Sequence, residues 1–308
     1  IVTVGTGTQF VDILTAVNTE TNGRYTVNSG YYPEVGPFGF SSAMGISVLN
    51  NMVGNGADGI YGIECVTPSG YWLRATEDNG EHAELLRAIR GGGGATFCVV
   101  TRLMLKLRAE YQNVEAYYGQ MYRLTNLEPL RILTAYIPDN IVFFLQMQRD
   151  IEGEYIMDVV AACHDLGMNC TRILDRIEDI GFFGYRRIYN SHYAFMRNSF
   201  RGGPHNELAQ VYFASNAIPA SSLRQPFALS RYREFVENAP GNRRALPACS
   251  FRPLGGAAKR IDVDGSLTSV SQQVRQANLF SLCYMRWGPQ IEEPDNLYAY
   301  HVNNFYEN

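Results

Sequence analysis

The chain has no cluster of basic residues. Its 308 residues include 26 Lys or Arg and 30 Asp or Glu, a formal net charge of −4. That balance argues against nucleic acid as the main partner, which needs a concentrated positive surface. There is no apolar run long enough to span a bilayer, so no membrane-spanning helix is expected. The six cysteines (Cys65, Cys98, Cys163, Cys170, Cys249, Cys283) show no CxxC spacing, which leaves no paired-cysteine metal site. They are too sparse for a disulfide scaffold and leave the redox compartment open. Internal repeats and low-complexity tracts are also missing. The chain opens on Ile1-Val2-Thr3-Val4-Gly5 with neither an initiating Met nor a signal peptide, and reads as a mature, trimmed or incomplete chain. At 46% hydrophobic, it has enough length for one large domain or two ordinary ones.

What the chain does have is a glycine-dense stretch from Gly30 to Thr101. Glycines at 36, 39, 45, 54, 56, 59, 62 and 70, then the run Gly91 to Gly94, suit a backbone that turns sharply and lies close to a bulky ligand. The same run also suits a simple helix stop after Glu81 to Arg90. Short apolar runs at Ile60 to Val66 and Cys98 to Leu107 have strand character. In the second, Val99, Thr101, Leu103, Leu105 and Leu107 alternate with Val100, Arg102, Met104 and Lys106, which predicts one buried face.

In chain order, Ile1 to Gly7 reads as a buried strand running into a glycine turn. Phe10, Ile13, Leu14 and Val17 predict a short amphipathic helix over 9–18. After residue 107 glycine thins and aromatics rise, so a domain boundary is placed there, giving domains 1–107 and 108–308. In the second, helices are expected near Leu127 to Tyr136, over Ile156 to Leu166 (stopped by Gly167), over Ile173 to Ile180 and over Leu229 to Val236. Strands are expected at Ile141 to Gln148, Val211 to Ala217, Ala248 to Pro253 and Leu279 to Trp287. Gly184 to Pro204, aromatic and basic, reads as a long loop or partner-facing segment. The class is α+β, with an antiparallel sheet covered by helices on one side.

Several motifs resemble the FAD-binding domain of berberine bridge enzyme-like oxidases, of the vanillyl-alcohol oxidase and p-cresol methylhydroxylase fold. They are Tyr32-Pro33-x-Val35-Gly36-x-x-Gly39, the turn ending at Gly45, Gly54 to Asp58, Val66-x-x-x-Gly70 and Leu85 to Thr101. The pieces at 137–146, 251–261, 284–287 and 301–304 follow in the family's order, so the resemblance covers nearly the whole chain. It implies a PCMH-type FAD-binding domain, present as its second half, then a substrate domain whose C-terminal end returns towards the first. It also implies FAD as cofactor, a small organic substrate, hydride transfer to the flavin, dioxygen as acceptor, secretion and a place in secondary metabolism. The flavin-side positions would be Tyr32, Val35, Gly36, Gly39, Ser41, Ser42, Gly45, Val99 and Asn303. The catalytic candidates are Arg252, Tyr300 and His301, and no metal site is implied.

The chain also departs from that pattern. No counterpart of the family's first FAD subdomain, with its flavin-linking histidine, precedes Ile1, and the last helix has no match. The second linking position, often cysteine, is Tyr32, which excludes a bicovalent flavin. The expected triple glycine is Ala43-Met44-Gly45, and the carboxylate before the Gly-Gly pair is replaced by Arg252. An arginine cannot act as a base near neutral pH, but it can bind an anion or serve as a structural ion-pair partner. Two readings follow: an FAD-dependent oxidoreductase, or a flavin-less relative that binds a ligand or shapes a non-redox cyclisation.

Overall fold

The computed structural model describes residues 1–94, 96–122, 130–131, 134, 139–149, 154–164, 168–199, 210–225, 229–239, 245–287 and 301–302. The chain forms two compact units. The first comprises 1–114, 188–201 and 254–276, and the second 115–187, 202–253 and 277–308. A single boundary near residue 107 therefore describes only the first of five passages between units, and later segments return to the first.

The first unit holds strands β1 (Val2–Gly5), β2 (Tyr25–Val27), β3 (Ile60–Val66), β4 (Trp72–Thr76), β5 (Val99–Leu105) and β6 (Leu107–Ala109). One sheet has the order β1-β5-β3-β4, and β2 pairs with β6. Helix Phe10–Glu20 buries Phe10, Ile13, Leu14 and Val17, the face predicted from their spacing. Ile13, Leu14 and Val17 join Ile60, Ile63, Leu86, Ile89, Leu103 and Leu105 in one core, and Phe10 packs edge-on against Phe40. The edge strand β1 alternates half-buried and exposed residues rather than lying buried. In β5 the predicted alternation breaks: Val100 and Leu103 are buried, but Val99 is 70% exposed. The cause is a register shift, with Glu64 opposite Arg102 and the next residue, Cys65, opposite Val100. One extra residue in β5 reverses the inside and outside phases.

Two later segments complete this unit. The helix His192–Ser199 is held where the His192 N–H donates to the Tyr111 carbonyl and the Tyr193 N–H to the Glu110 carboxylate, at 2.8 Å each. Burial raises the Glu110 carboxyl to about 6, although backbone hydrogen bonds from this helix start oppose the shift. The segment 254–276 is fixed by Arg275, whose guanidinium makes a bidentate pair with Asp58 at 3.0 and 2.7 Å. It also donates to the Ala258 carbonyl and the Thr268 hydroxyl. The Arg275 and Asp58 side chains are 2% and 1% exposed.

The second unit holds β7 (Gln112–Tyr122), β8 (Ile141–Arg149), β9 (Tyr155–Cys163), β10 (Phe183–Ser191), β11 (Gln210–Ile218), β12 (Ala245–Pro253) and β13 (Leu279–Trp287). Their order is β10-β7-β9-β8-β12-β13-β11, and the described pairings are antiparallel. One face packs Leu145, Met147, Val159, Cys249, Phe251 and Met285 against the helices Met168–Asp179 and Ser230–Glu237. This is the predicted sheet covered on one side. The expected helix over 156–166 is instead β9, because the short β-branched run finds strand partners on both sides, in β7 and β8. The expected loop from Gly184 is β10 followed by the helix His192–Ser199. The predicted helix near 127–136 and its stop lie largely outside the described residues, as does Gly167. Cys163–Cys170 and Cys249–Cys283 are disulfides, so four of the six sparse cysteines do staple the second unit. Cys65 and Cys98 are free and buried. No helix among the described residues is long and apolar enough to cross a membrane.

Removing Asp58 leaves the buried Arg275 guanidinium with Asp262, at 3.8 Å, as its remaining acidic partner. Asp58→Asn is expected to cost about 3–5 kcal/mol in denaturant unfolding of the full chain, and Asp58→Asn with Arg275→Met less than the sum of the two changes. Glu110 has the opposite sign from a salt-bridged acid. Its folded carboxyl titrates above its unfolded value, so its contribution is fully present below about pH 4.5 and is lost as pH rises through about 6. The stability of Glu110→Gln relative to the natural chain should therefore rise between pH 4.5 and 7, by less than about 2 kcal/mol given its partial exposure. Thermal unfolding of both proteins across that range checks the sign.

Candidate functional site

The glycine-rich loops of the first unit gather around residues 28–58. Past β2, Asn28 is buried and donates from Nδ2 to the Gly54 and Asn55 carbonyls at 2.8 and 3.0 Å. The Ser47 hydroxyl donates to the same Gly54 oxygen at 3.0 Å, and the Val48 N–H to the Ser29 carbonyl at 2.9 Å. The next turn is fixed by the start of helix Phe10–Glu20. There the Phe10 and Val11 N–H groups, surplus donors of a first helical turn, donate to the Val35 and Pro33 carbonyls. Tyr32 is half-buried in this turn, and Gly36 precedes the short helix Pro37–Ser42, in which Ser41 and Ser42 are buried.

The helix ends in a turn of unusual backbone. Met44 has φ +82° and Gly45 φ +66°. A side chain is disfavoured in this left-handed region by roughly 1–2 kcal/mol, so Met44 is held there by its surroundings. The restraint is visible: the Ala57 N–H donates to the Met44 carbonyl at 2.8 Å and the Gly56 N–H to the Gly45 carbonyl at 2.6 Å. The 55–58 turn that supplies these donors is itself tied by Asp58, which accepts from the Asn55 N–H at 2.7 Å and pairs with Arg275. Phe40 fills the space beside bare glycine backbone. A Cβ on Gly30, Gly45 or Gly56 would come within 3.1, 2.6 and 2.7 Å of its ring.

The glycine run 91–94 packs on protein. The Gly93 N–H donates to the Ser42 carbonyl at 3.0 Å, and a Cβ on Gly94 would lie 2.5 Å from both the Phe38 ring and Ser42 Oγ. A Cβ on Gly91 would lie 2.7 Å from Val270, so the run is a helix stop that also seats neighbouring segments.

Of the sequence-nominated residues, Tyr32, Val35, Gly36, Gly39, Ser41, Ser42 and Gly45 fall in this one loop cluster. Val99 belongs to the same unit but stands exposed opposite Val66 at the end of β3. Arg252, in the second unit, lays its guanidinium over the Phe144 ring, 3.5 Å from the centroid. His301, also in that unit, lies against the helix-side core: it stacks on Phe235, a member of that core, and its Nε2–H donates to the Phe235 carbonyl at 3.0 Å. Burial lowers its pKa, so it stays neutral near neutral pH. Arg252 is on β12 with its side chain out of that core, so His301 and Arg252 occupy opposite sides of the sheet. Tyr300 and Asn303 lie outside the described residues. Sequence reading missed Asn28, Ser29, Phe40 and the Asp58–Arg275 tie. The adjacent polar pair Asn28-Ser29 directly after a strand was the available signal.

Asn28 Oδ1, Ser29 Oγ and Ser41 Oγ are buried and have no hydrogen-bond partner. Buried polar atoms are rarely left unpaired in folded proteins, so this cluster fits a polar ligand that supplies donors. No group of three or more His, Cys, Asp or Glu able to hold a metal occurs among the described residues.

Comparison with known proteins gives the same outline. No family model matches the chain. It is 37% identical over 87 residues to the FAD-linked oxidoreductase sthB of Phaeosphaeria nodorum, covering 28% of this chain and 27% of that protein. It is 34% identical over 106 residues to the FAD-linked oxidoreductase ZEB1 of Gibberella zeae, covering 34% and 18%. To the bifunctional decalin synthase calF of Penicillium decumbens it is 38% identical over 84 residues, covering 27% and 14%. Among solved structures, the VAO-type flavoprotein MtVAO713 of Myceliophthora thermophila superposes with a TM-score of 0.77 at 16% identity, covering 96% of this chain and 55% of that one. Chitooligosaccharide oxidase gives 0.77 at 17% identity, covering 99% and 65%. Berberine bridge enzyme from Eschscholzia californica gives 0.76 at 15% identity, covering 99% and 61%. The chain thus spans 14–27% of these curated relatives and 55–65% of the superposed structures. It has the fold of the VAO-type and berberine bridge enzyme flavoproteins, as its motifs implied, and the α+β expectation is borne out.

Because Met44 is strained by its backbone alone, Met44→Gly should leave stability unchanged or raise it by up to about 1 kcal/mol, against the usual cost of removing a side chain. Ala43→Gly, at negative φ, should instead destabilise slightly. Paired thermal melts of the two variants test this.

Proposed function

We propose that the protein is an FAD-dependent oxidoreductase acting on a small organic substrate. The observation that carries this reading is the coincidence of sequence similarity to FAD-linked oxidoreductases with a flavoprotein fold over nearly the whole chain. The buried, unpartnered Asn28, Ser29 and Ser41 fit a polar cofactor. Tyr32 to Gly36, Ser41, Ser42 and Gly45 would hold FAD, with Asn303 and Val99 as further contacts implied by the resemblance. When bound, FAD supplies a two-electron acceptor for a substrate hydride, and dioxygen is the acceptor we assign to the reduced state.

This chain's own part is binding and orientation. The short helix Pro37–Ser42 and the Met44–Gly45 turn offer a rigid wall, because the 55–58 turn holds Met44 and Gly45 and the Gly93 N–H holds the Ser42 carbonyl. Arg252 keeps its charge and offers an anion site on the face of Phe144. It is not a base, and His301, engaged with Phe235, is a wall residue in this reading. Tyr300 is the remaining candidate of the three to take a proton. The two disulfides support an oxidising compartment, consistent with secretion. A role in secondary metabolism is what the family resemblance implies.

The flavin-less reading keeps one specific support. Met44 replaces a glycine of the family pattern, and calF, a relative, is named a decalin synthase. The deciding measurement is the visible absorbance spectrum of the purified full-length protein, before and after acid precipitation. Flavin bands are expected. Colour kept in the precipitate indicates a covalent link. A colourless protein that takes up no added FAD would sink the oxidoreductase reading.

A further inference from the structure

Four of the six cysteines are joined in the second unit, at Cys163–Cys170 and Cys249–Cys283. The other two, Cys65 and Cys98, meet in the core of the first unit. The ladder between β3 and β5 sets their positions. Cys65 stands opposite Val100, and Val66 opposite Val99. Cys98, two residues before Val100, therefore lies diagonally from Cys65 on the same inward face, while Val99 points outward. Cys65 is fully buried and Cys98 is 6% exposed. The two thiols are hydrogen-bonded to each other.

A buried cysteine by itself packs as a small apolar side chain. Two thiols in contact are a different object, because a small movement separates them from a covalent bond. A disulfide needs its two Cα atoms within about 7 Å, slightly closer than regular diagonal neighbours stand. That movement falls on one side. β3 is held along both edges, by β4 and β5, whereas Cys98 precedes the first residue of β5, in a bend beyond the glycine run. Its neighbours Phe97 and Val99 are exposed, so a small oxidant reaches the pair from this side. The disulfides of the second unit show that the chain sustains such bonds, as oxidising surroundings allow.

We propose that Cys65 and Cys98 are a redox-active pair that closes a third disulfide across the end of β3 and β5, with Cys98 as the entry point. Burial pushes the Cys65 thiol up to about 12, so it is not the first thiolate to attack near neutral pH. The oxidant is a small disulfide such as oxidised glutathione. Cys98 attacks one of its sulfurs and releases one glutathione thiol. The Cys65 sulfur then displaces the second glutathione from Cys98, and the two cysteine protons leave on the two glutathione thiols.

The bond closes a loop that carries β4, the helix Ala83–Ile89 and the glycine run. Within that run, the Gly93 N–H holds the Ser42 carbonyl. Oxidation thus fastens the segment behind the short helix Pro37–Ser42. The pair itself does not depend on the flavin reading.

The test uses the full natural chain, equilibrated with reduced or with oxidised glutathione, then denatured in N-ethylmaleimide and mapped by mass spectrometry without reduction. Both cysteines are expected to be labelled after reduced glutathione and joined to each other in one cross-linked peptide after oxidised glutathione. Amide exchange over Gly91 to Gly94 should slow several-fold in the oxidised form. Label on both cysteines after oxidised glutathione, glutathione adducts that never link, or linkage to another cysteine overturns the proposal. Unchanged exchange overturns the fastening. The order of attack is read from two variants: Cys65→Ala should trap glutathione on Cys98, and Cys98→Ala should leave Cys65 without an adduct. The reverse pattern overturns the assignment of Cys98 as entry point. If a variant loses its circular dichroism, the mapping of the natural chain still decides whether the bond forms.

Discussion

A guanidinium buried beside a carboxylate is the constraint on which the first unit depends. Arg275 and Asp58 are 217 residues apart, and both are withdrawn from water. Such a pair is worth little when compared with an apolar pair of equal volume, but it cannot tolerate the loss of one member. Its consequence here is positional. Asp58, held by Arg275, also accepts from the Asn55 N–H and so fixes the 55–58 turn. That turn aims the Gly56 and Ala57 N–H groups at Gly45 and Met44. The shape of the candidate cofactor wall is thus set from the far end of the chain.

The wall shows how a departure from a family pattern can be accommodated. At Met44 a glycine's backbone freedom is lost, yet the left-handed conformation persists, because two hydrogen bonds and the Phe40 ring leave the turn no alternative. The strain stays local. Ala43 is at negative φ, and Gly45 keeps the position where a Cβ would meet Phe40 at 2.6 Å.

The second unit follows a different logic. Its sheet has one face committed to a core with two helices, stapled by disulfides at Cys163–Cys170 and Cys249–Cys283. The other face carries Arg252 and Asp158. The two charges are handled in different ways: Arg252 is placed on an aromatic ring, and Asp158 accepts from the amides of Gln120 and Gln148.

Local pattern was enough for much of this. The spacing of Phe10, Ile13, Leu14 and Val17 determined a helix and its buried face, and the glycine-punctuated order of motifs determined the fold, because both are written in adjacent residues. The sequence did not determine whether Ile156 to Cys163 is helix or strand, since a short β-branched run satisfies either period. Its two neighbouring strands decided that. Nor did it reveal that an extra residue in β5 exposes Val99, that His301 faces Phe235, or that residues 188–201 and 254–276 join the first unit. Each of these depends on hydrogen bonds or ion pairs between residues far apart in sequence. Such pairs leave no periodic trace along the chain, and only the folded structure brings them together.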